Sequence, residues 1–311
     1  MRLRSAALQG LGLGLAAAVL WWLARNTAAT LEQNGIGLGF AFLRQSAGFD
    51  IGETPIAYSP ADSFLRAIAV GLVNTLRVSA VGWVLSIALG FVLGILRLAD
   101  NPAVRELARG VVELVRNVPL LLLLLFLAAT MTALPPAREA FEPIPGVFIS
   151  NRGLVLPTFG SVPRLEGFNF VGGITLSPEL TALVAALTLH HAAHISEVVR
   201  GAILGVSPRQ RDAAHALGLS RAQTLRFVVV PQALRAMVPL LATNCVSLTK
   251  NSSLAVAIGF PDVVSILNTT ANQTGHAIET MLIMIAVYLT LSIAVAAGMN
   301  AYNQRVLRPG V

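Results

Sequence analysis

Three histidines and one glutamate lie close together in the stretch LTLHHAAHISEVVRG, which covers residues 187–201. An α-helix carries His190, His194 and Glu197 on one face, because they are four and three positions apart. The surrounding residues are apolar enough for a membrane, where ionisable side chains are costly and commonly functional. Three roles fit: hydrogen bonding inside a helix bundle, a face toward a substrate, or a metal site. We predict no metal site, because further ligands and a cysteine cluster are lacking.

The composition indicates an integral membrane protein. Of 311 residues, 55% are hydrophobic and 12% are charged, against about 25% charged in soluble domains. Aromatic residues are few and small aliphatic residues are many, which favours helices over a lipid-facing barrel. The net charge of +7 indicates loops retained in the cytoplasm rather than nucleic-acid binding. The single cysteine, Cys245, excludes an intramolecular disulfide.

Apolar runs predict an all-α chain with about six transmembrane helices and a lipid bilayer around them. The predicted spans are about Ala7–Ala24, Val78–Leu98, Val118–Leu134, Ser177–Ser196, Val228–Phe260 and Met281–Ala301. An interfacial turn is expected before Arg77, and Pro231, Arg235, Pro239, Lys250 and Asn251 break the fifth region. The first span lacks a small-residue cleavage site, so residues 1–25 are predicted to be an uncleaved signal anchor.

Arginine counts predict the orientation of these spans. With the N-terminus inside, thirteen arginines fall on the inner side and seven on the outer side, with Arg235 left out. Both termini are then cytoplasmic, including the tail at 302–311. Residues 26–66 and 135–176 become periplasmic loops, and the segment 198–231 becomes cytoplasmic. The spans and loops between 67 and 301 form one transmembrane domain.

The cytoplasmic segment has the signals of two short helices. SPRQ at 207–210 predicts a capping box with proline in the first turn. The helix is expected from Pro208 to Leu217, with Gly218 ending it in the left-handed conformation. SRAQ at 220–223 predicts a second capping box, and the helix that it begins meets Pro231.

The first short helix places Ala213, Ala214, Ala216 and Leu217 together. This small apolar face suits the groove of a partner protein. The alternative is an amphipathic helix resting on the membrane surface, but membrane insertion favours larger side chains.

The segment also carries a motif. Asp212-Ala213-Ala214, then Gly218, Val228, Val230 and Pro231, resemble the EAA loop of bacterial ABC importer permeases, EAA-x3-G-x9-I-x-LP. Asp for Glu and Val for Ile and Leu are mild departures. The resemblance implies a coupling helix that docks onto an ATPase subunit. The residues that it assigns to this contact are Asp212, Ala213, Ala214, Gly218, Leu219 and Pro231.

Further stretches extend the resemblance over nearly the whole chain. GLVNTLRVSAVG, RNVPLLLLLLF, EVVRGAI and LTKNSSLAVAIGFPDVVS resemble the polar amino acid permeases of this superfamily. FDIGETPIAYSPADS, NRGLVLP and FNFVGGITLSPE are similar to the general L-amino acid permease branch. The resemblance implies a five-helix type I importer core plus an N-terminal helix, in the bacterial inner membrane. It also implies three kinds of partner: a second homologous permease, two ATPase subunits and a periplasmic amino-acid-binding protein.

The chain itself lacks a Walker A loop. Its single lysine, Lys250, follows Thr249 rather than the glycine that the GxxxxGK[ST] pattern requires. The chain is therefore predicted to be no enzyme and to bind no cofactor, with ATP and Mg²⁺ held by the partner ATPase.

Six residues are candidates for the substrate pathway: Glu197, His190, His194, Asn117, Lys250 and Asn251. Glu197 occupies the EVVRG position, where the resemblance implies contact with the cationic part of a substrate. The neighbouring histidines depart from the family pattern and favour acidic or amide side chains. Asn117 either belongs to this pathway or only begins the third span. Lys250 and Asn251 line the pathway or its gate through non-helical backbone, or form a loop just outside the membrane.

Two other functions compete with the permease. A secondary transporter or channel needs no ATPase-docking hairpin and usually shows an internal repeat, which this chain lacks. A membrane receptor or scaffold is the third hypothesis, but long cytoplasmic signalling regions are absent from the sequence.

Overall fold

The computed structural model describes residues 2–33 and 39–307. The described residues form two compact units, one that ends at Leu43 and one that begins at Arg44. The first unit is mainly helix α1, Arg2–Gln33, which contains the first predicted span. Met1 of the predicted signal anchor, residues 34–38 of the predicted 26–66 loop, and 308–311 of the predicted tail lie outside the described residues. The anchor itself stays a prediction.

The second unit is mostly helical. Its helices are α2 Phe64–Leu96, α3 Pro102–Asn117, α4 Leu120–Thr132, α5 Pro178–Leu204, α6 Pro208–Ala216, α7 Arg221–Thr224, α8 Val230–Asn251, α9 Val263–Thr274 and α10 Ala277–Leu307. Four helices of the described chain are long and apolar enough to cross a membrane: α2, α5, the continuous helical stretch Arg221–Ile258, and α10 up to Ala301. The bent pair α3–α4 makes five if it is one span. The total of six stays a prediction.

Helix α2 runs without interruption for 33 residues, so the predicted turn before Arg77 is wrong. The side chain of Ser63 caps its first turn, accepting from the backbone N–H of Arg66. Ala67 and Val70 are fully buried, and Gly71 lies against the backbone of Val263 at the start of α9. The part before Arg77 is thus packed in protein, and the apolar run is longer than one membrane crossing requires.

Close packing of α2 against α5 forms the centre of the unit. A Cβ at Gly90 would lie 2.6 Å from Ile195, and a Cβ at Gly94 would lie 2.7 Å from Val199. Such small residues four apart let two membrane helices approach closely. This contact was not predicted, although the GFVLG spacing at residues 90–94 is a sequence signal for it.

Helices α3 and α4 meet at an angle of 101°. Pro119 disfavours helical geometry at the preceding residue, and Val118 is extended, with φ −95° and ψ 125°. Asn117 is therefore the last residue of α3, and the predicted third span, Val118–Leu134, corresponds to α4.

Residues 141–176, inside the loop predicted at 135–176, form short β-strands within the mostly helical fold. Four antiparallel strands pair in the order β1 Phe141–Ile144, β2 Val147–Ser150, β3 Gly153–Leu156 and β6 Ile174–Leu176, while β4 Arg164–Glu166 and β5 Asn169–Val171 form a hairpin. All six glycines of the segment have positive φ, a conformation that L-residues disfavour. At Gly153, a Cβ would also overlap the carbonyl oxygen of Leu176. In the sequence alone, these glycines cannot be distinguished from the glycines of an irregular loop.

The fifth hydrophobic region is less broken than predicted. A π-helical turn, Leu225–Val229, joins α7 to α8, and the N–H of Val230 donates to the carbonyl of Leu225. This wider turn directly precedes Pro231, which lacks the N–H for a regular helical hydrogen bond at this point of the continuous stretch. The α-helix continues to Asn251 and becomes a 3-10 helix over Ser252–Ile258. Lys250 and Asn251 are thus helical, contrary to prediction.

Candidate functional site

Residues 207–224, here called the hairpin, form helices α6 and α7 at the end of α5. Helix α6 ends one residue from the predicted position, and Gly218 has a left-handed φ of 80°. The N–H of Gly218 donates to the carbonyl of His215, and the N–H of Leu219 donates to the carbonyl of Ala214. These bonds satisfy carbonyls that the end of a helix leaves free.

The two predicted capping boxes have different outcomes. The box at Ser220 is confirmed: its hydroxyl accepts from the N–H of Gln223, whose side chain accepts from the N–H of Ser220. The box at Ser207 is wrong, because within the described chain the Ser207 side chain makes no cap hydrogen bond. The N–H of Gln210 donates to the Ser207 carbonyl at 3.1 Å instead.

The hairpin exposes an apolar residue at its tip. The side chain of Leu217 is 82% exposed, and Asp212, Ala213 and Ala216 are also exposed. Ala214 is 3% exposed and packs inward. This corrects the predicted face, because one of its four members faces the fold.

The end of α5 positions helix α6, whereas Pro231 of the predicted coupling residues lies in α8, outside the hairpin. Arg211 donates to the carbonyl of Ile203 at 2.6 Å, which holds α6 against the end of α5. Leu219 is half-buried and Pro231 is exposed. The second short helix does not stop at Pro231 as predicted, because the chain continues through the π-helical turn into α8.

Glu197 binds three arginines, here called the arginine cluster: Arg97, Arg116 and Arg200. Its Oε2 lies 2.7 Å from Nη1 of Arg97 and 3.8 Å from Nη1 of Arg116. Its Oε1 accepts from Arg200. Arg97 is only 9% exposed and also donates to the Ser196 hydroxyl at 3.2 Å. The cluster therefore links the ends of α2 and α3 to α5, and Glu197 is not a free carboxylate.

A cavity of about 880 Å³, here called the polar cavity, lies between α5, α6 and α8 beside this cluster. Its polar lining consists of Arg116, His194, Glu197, Ser207, Gln210, Gln232 and Asn244. The α5 wall of the cavity also contains three small residues, Gly201, Ala202 and Gly205. Their small size leaves space for a ligand. The volume is within the usual range for small-molecule sites, about 300–1,000 Å³.

The three histidines take different positions. His194 lines the polar cavity. The His190 ring packs edge-on against the His194 ring, with centroids 4.8 Å apart. His191 is 3% exposed, and its Nε2 lies 3.3 Å from the amide nitrogen of Asn251. Hydrogen bonding inside the bundle therefore describes His191, while the cavity-facing role suits His194. Among the described residues, no group of three or more His, Cys, Asp or Glu side chains is arranged for a metal.

The structure brings only part of the predicted pathway together. His194 and Glu197 line the polar cavity, whereas Asn117 and Lys250 are exposed elsewhere and Asn251 contacts His191. Sequence reasoning missed Arg97, Arg116 and Arg200 as partners of Glu197. The i,i+3 spacing of Glu197 and Arg200 was a usable signal, but no local pattern pairs Glu197 with Arg97.

Comparisons with known proteins agree on one family. The model of the binding-protein-dependent transport system inner membrane component matches residues 86–308. The putative amino-acid ABC transporter permease protein YhdX of Escherichia coli (strain K12) is 37% identical, with 93% of this chain and 90% of that protein covered. The general L-amino acid transport system permease protein AapQ of Rhizobium johnstonii is 35% identical, with 92% and 88% covered.

Solved structures show the same fold. A crystal structure of an amino acid ABC transporter with histidines aligns with a TM-score of 0.60 at 21% identity, covering 78% of this chain and 95% of that chain. An inward-facing structure of the MetNI methionine ABC transporter aligns with a TM-score of 0.58 at 17% identity, covering 79% and 98%.

Proposed function

The chain belongs to the binding-protein-dependent transport system inner membrane component family, and from this premise we propose that it imports L-amino acids of broad specificity. It is a multi-pass inner membrane permease subunit and not itself an ATPase. One observation carries the proposal: the exposed hairpin and the polar cavity share residues. Ser207 and Gln210 of the hairpin line the same cavity as His194 and Glu197. A force applied to the hairpin therefore acts directly on the cavity wall.

The proposed assembly contains this chain, a second homologous permease, two ATPase subunits and a periplasmic amino-acid-binding protein. ATP and Mg²⁺ belong to the ATPase subunits. Both termini are cytoplasmic, so the hairpin meets the ATPase and the β-strands lie in the periplasm. The relatives named as amino acid permeases support the substrate class, and the arginine count supports the orientation.

The polar cavity offers the charges that a zwitterionic amino acid requires. The guanidinium of Arg116 suits the α-carboxylate, because paired N–H donors match its two oxygens. Glu197 suits the ammonium group. The ammonium group competes with Arg116 for the Glu197 carboxylate, because the 3.8 Å contact of Arg116 is the longest of the three arginine contacts. His194, Gln232 and Asn244 supply hydrogen bonds for a polar side chain.

Coupling follows alternating access. Closure of the ATPase pair on ATP moves the hairpin, and α6 transmits the movement to α5 through the bond from Arg211 to Ile203. The spans turn outward and accept the amino acid from the binding protein. After hydrolysis the cavity faces the cytoplasm again. The differential affinity of ATP for the two ATPase arrangements supplies the bias between the two states.

Uptake by vesicles tests the proposal. The complete transporter is reconstituted with its ATPase and binding protein, and labelled amino acids are supplied outside. We expect uptake only with ATP inside and with all subunits present. Uptake by the permeases without an ATPase, driven by an ion gradient, supports the secondary-transporter hypothesis and overturns this one.

A further inference from the structure

A second polar cavity, here called the basic cavity, adjoins the arginine cluster and shares Arg116 and Glu197 with the polar cavity. Its volume is about 470 Å³. It is lined by Arg97, Arg105, Arg109, Arg116 and Arg200 together with Glu106, Glu113 and Glu197. Five guanidinium groups against three carboxylates leave a formal surplus of two positive charges.

The ion pairs inside the basic cavity do not cancel this surplus. Arg97, Arg116 and Arg200 all bind the single carboxylate of Glu197. Arg105 and Arg109 lie 3.6 and 3.8 Å from Glu106, and Arg109 also binds Glu113 at 2.7 Å. Within the described chain, the buried Nε of Arg200 has no hydrogen-bond partner. The cavity thus combines excess positive charge with an unused donor, which favours an anionic ligand.

Helix α3, which lines this cavity, has one charged side and one apolar side. Its charged residues occupy one side, whereas Leu107 and Leu114 are 72% and 69% exposed on another. Val104 and Val111 continue this apolar strip at helical spacing. The helix also lies nearly at right angles to α4, which it meets at 101°. A helix with this pattern is suited to the membrane interface, beside the lipid headgroups.

We propose that the basic cavity binds the phosphate of an anionic phospholipid headgroup. Guanidinium groups bind phosphate oxygens through paired, charge-assisted hydrogen bonds. Basic pockets between helices at the membrane surface are suited to such headgroups. The exposed leucines of α3 contact the acyl region of the same lipid. Arg105 and Arg109 line only the basic cavity, so a test at these two residues does not rest on the proposed function.

Lipid retention tests the site. The complete transporter is purified from membranes that contain phosphatidylglycerol and phosphatidylcholine, and native mass spectrometry counts the lipids retained. We expect several-fold enrichment of phosphatidylglycerol. The double variant R105Q/R109Q removes the charge surplus and leaves the arginine cluster intact, so its enrichment falls to about that of the zwitterionic lipid. The control R152Q/R164Q removes two exposed arginines at the strand end and keeps the enrichment.

The lipid measurement can also contradict the site. Equal retention of both lipids by the unaltered protein overturns the proposal, as does unchanged enrichment in R105Q/R109Q. Displacement of the lipid by glycerol phosphate or ATP at equal concentration overturns it as well, because the ligand is then a free phosphate. If R105Q/R109Q fails to fold, R105K/R109K keeps the charge but loses the paired donors. Partial loss of enrichment in this variant supports the site, and full enrichment overturns it.

Discussion

The hairpin and the arginine cluster lie at the same end of α5, but their structures depend on different interactions. The hairpin is shaped by contacts between near neighbours, such as Ser220 with Gln223 and Gly218 with His215. The arginine cluster joins residues up to 100 positions apart, Arg97 and Glu197. The hairpin leaves Leu217 exposed for a partner, whereas the cluster buries Arg97. We infer that hairpin changes mainly affect coupling, and cluster changes affect the fold itself.

Removing the carboxylate charge of the cluster is expected to have the largest effect. Glu197→Gln leaves three arginines without their shared anion, one of them buried. Breaking a fully buried pair costs about 3–5 kcal/mol and an exposed pair at most about 1 kcal/mol. Since the Glu197 side chain is 33% exposed, we expect about 2 kcal/mol, measured as a lower Tm of the purified complex together with lost uptake.

The matched control is Glu166→Gln, the same change at an exposed strand residue, which should leave Tm unchanged. Glu197→Asp should recover part of the loss, because it keeps the charge. An unchanged Tm in Glu197→Gln contradicts a structural role for the cluster.

A charge at the tip of the hairpin is expected to abolish coupling without unfolding the chain. Leu217→Asp places a carboxylate on the surface that we assign to the ATPase. We expect at least about a tenfold loss of ATP-driven uptake, which corresponds to about 1.4 kcal/mol of lost interaction. Tm of the permease pair should not change.

Co-purification of the ATPase subunit measures this contact directly. Val162→Asp, another exposed apolar residue in the strand region, should retain the ATPase. Equal ATPase recovery in both variants removes the basis for the hairpin as the docking surface.

Loss of the confirmed helix cap is expected to have a smaller effect. Ser220→Ala removes the acceptor for the Gln223 N–H, and such changes cost about 1 kcal/mol. We expect uptake to fall several-fold. Amide hydrogen exchange should become faster only in residues 220–224. Ser207→Ala is the control, because its side chain makes no cap bond in the described chain. Equal effects of Ser220→Ala and Ser207→Ala contradict the expectation that only the Ser220 side chain caps a helix.

The smallest expected effect concerns substrate choice. His194→Phe removes hydrogen bonding from the polar cavity but keeps an aromatic ring. We expect about a threefold to tenfold lower preference for acidic and amide side chains over aliphatic ones, consistent with about 1 kcal/mol for one hydrogen bond. Uptake competition with a panel of amino acids measures the ranking. His191→Phe, which does not line the cavity but contacts the lining residue Asn244, should alter Tm more than the ranking. An unaltered ranking in His194→Phe excludes the proposed contact.

Local chemistry explains which parts of the fold could be predicted. Pro208, Gly218 and Ser220 act on residues within one helical turn, so the positions of α6 and α7 followed from their types. The same local reasoning failed at Ser207, where the backbone carbonyl rather than the side chain accepts the hydrogen bond of the Gln210 N–H. It also failed for residues 141–176, because the pairing of short strands depends on neighbours beyond each turn.

The candidate site could be predicted only in part. The spacing of His194 and Glu197 placed both on one helix face, and both line the polar cavity. Nothing near Glu197 in the chain indicates Arg97 or Arg116, because their approach depends on the packing of α2 and α3 against α5. Glycines at 90 and 94 permit that packing, and their role is visible only with the opposing helix in place.

The sequence by itself determined that the chain is a helical membrane protein, that it has no Walker A loop, and where the hairpin folds. These properties depend on composition and on near neighbours, whose energies act within a few residues. The tertiary structure alone decided that Glu197 is held by three arginines, that His194 rather than His191 faces the polar cavity, and that α3 meets α4 at 101°. Such contacts join distant residues, and they form only when specific helix faces pack together.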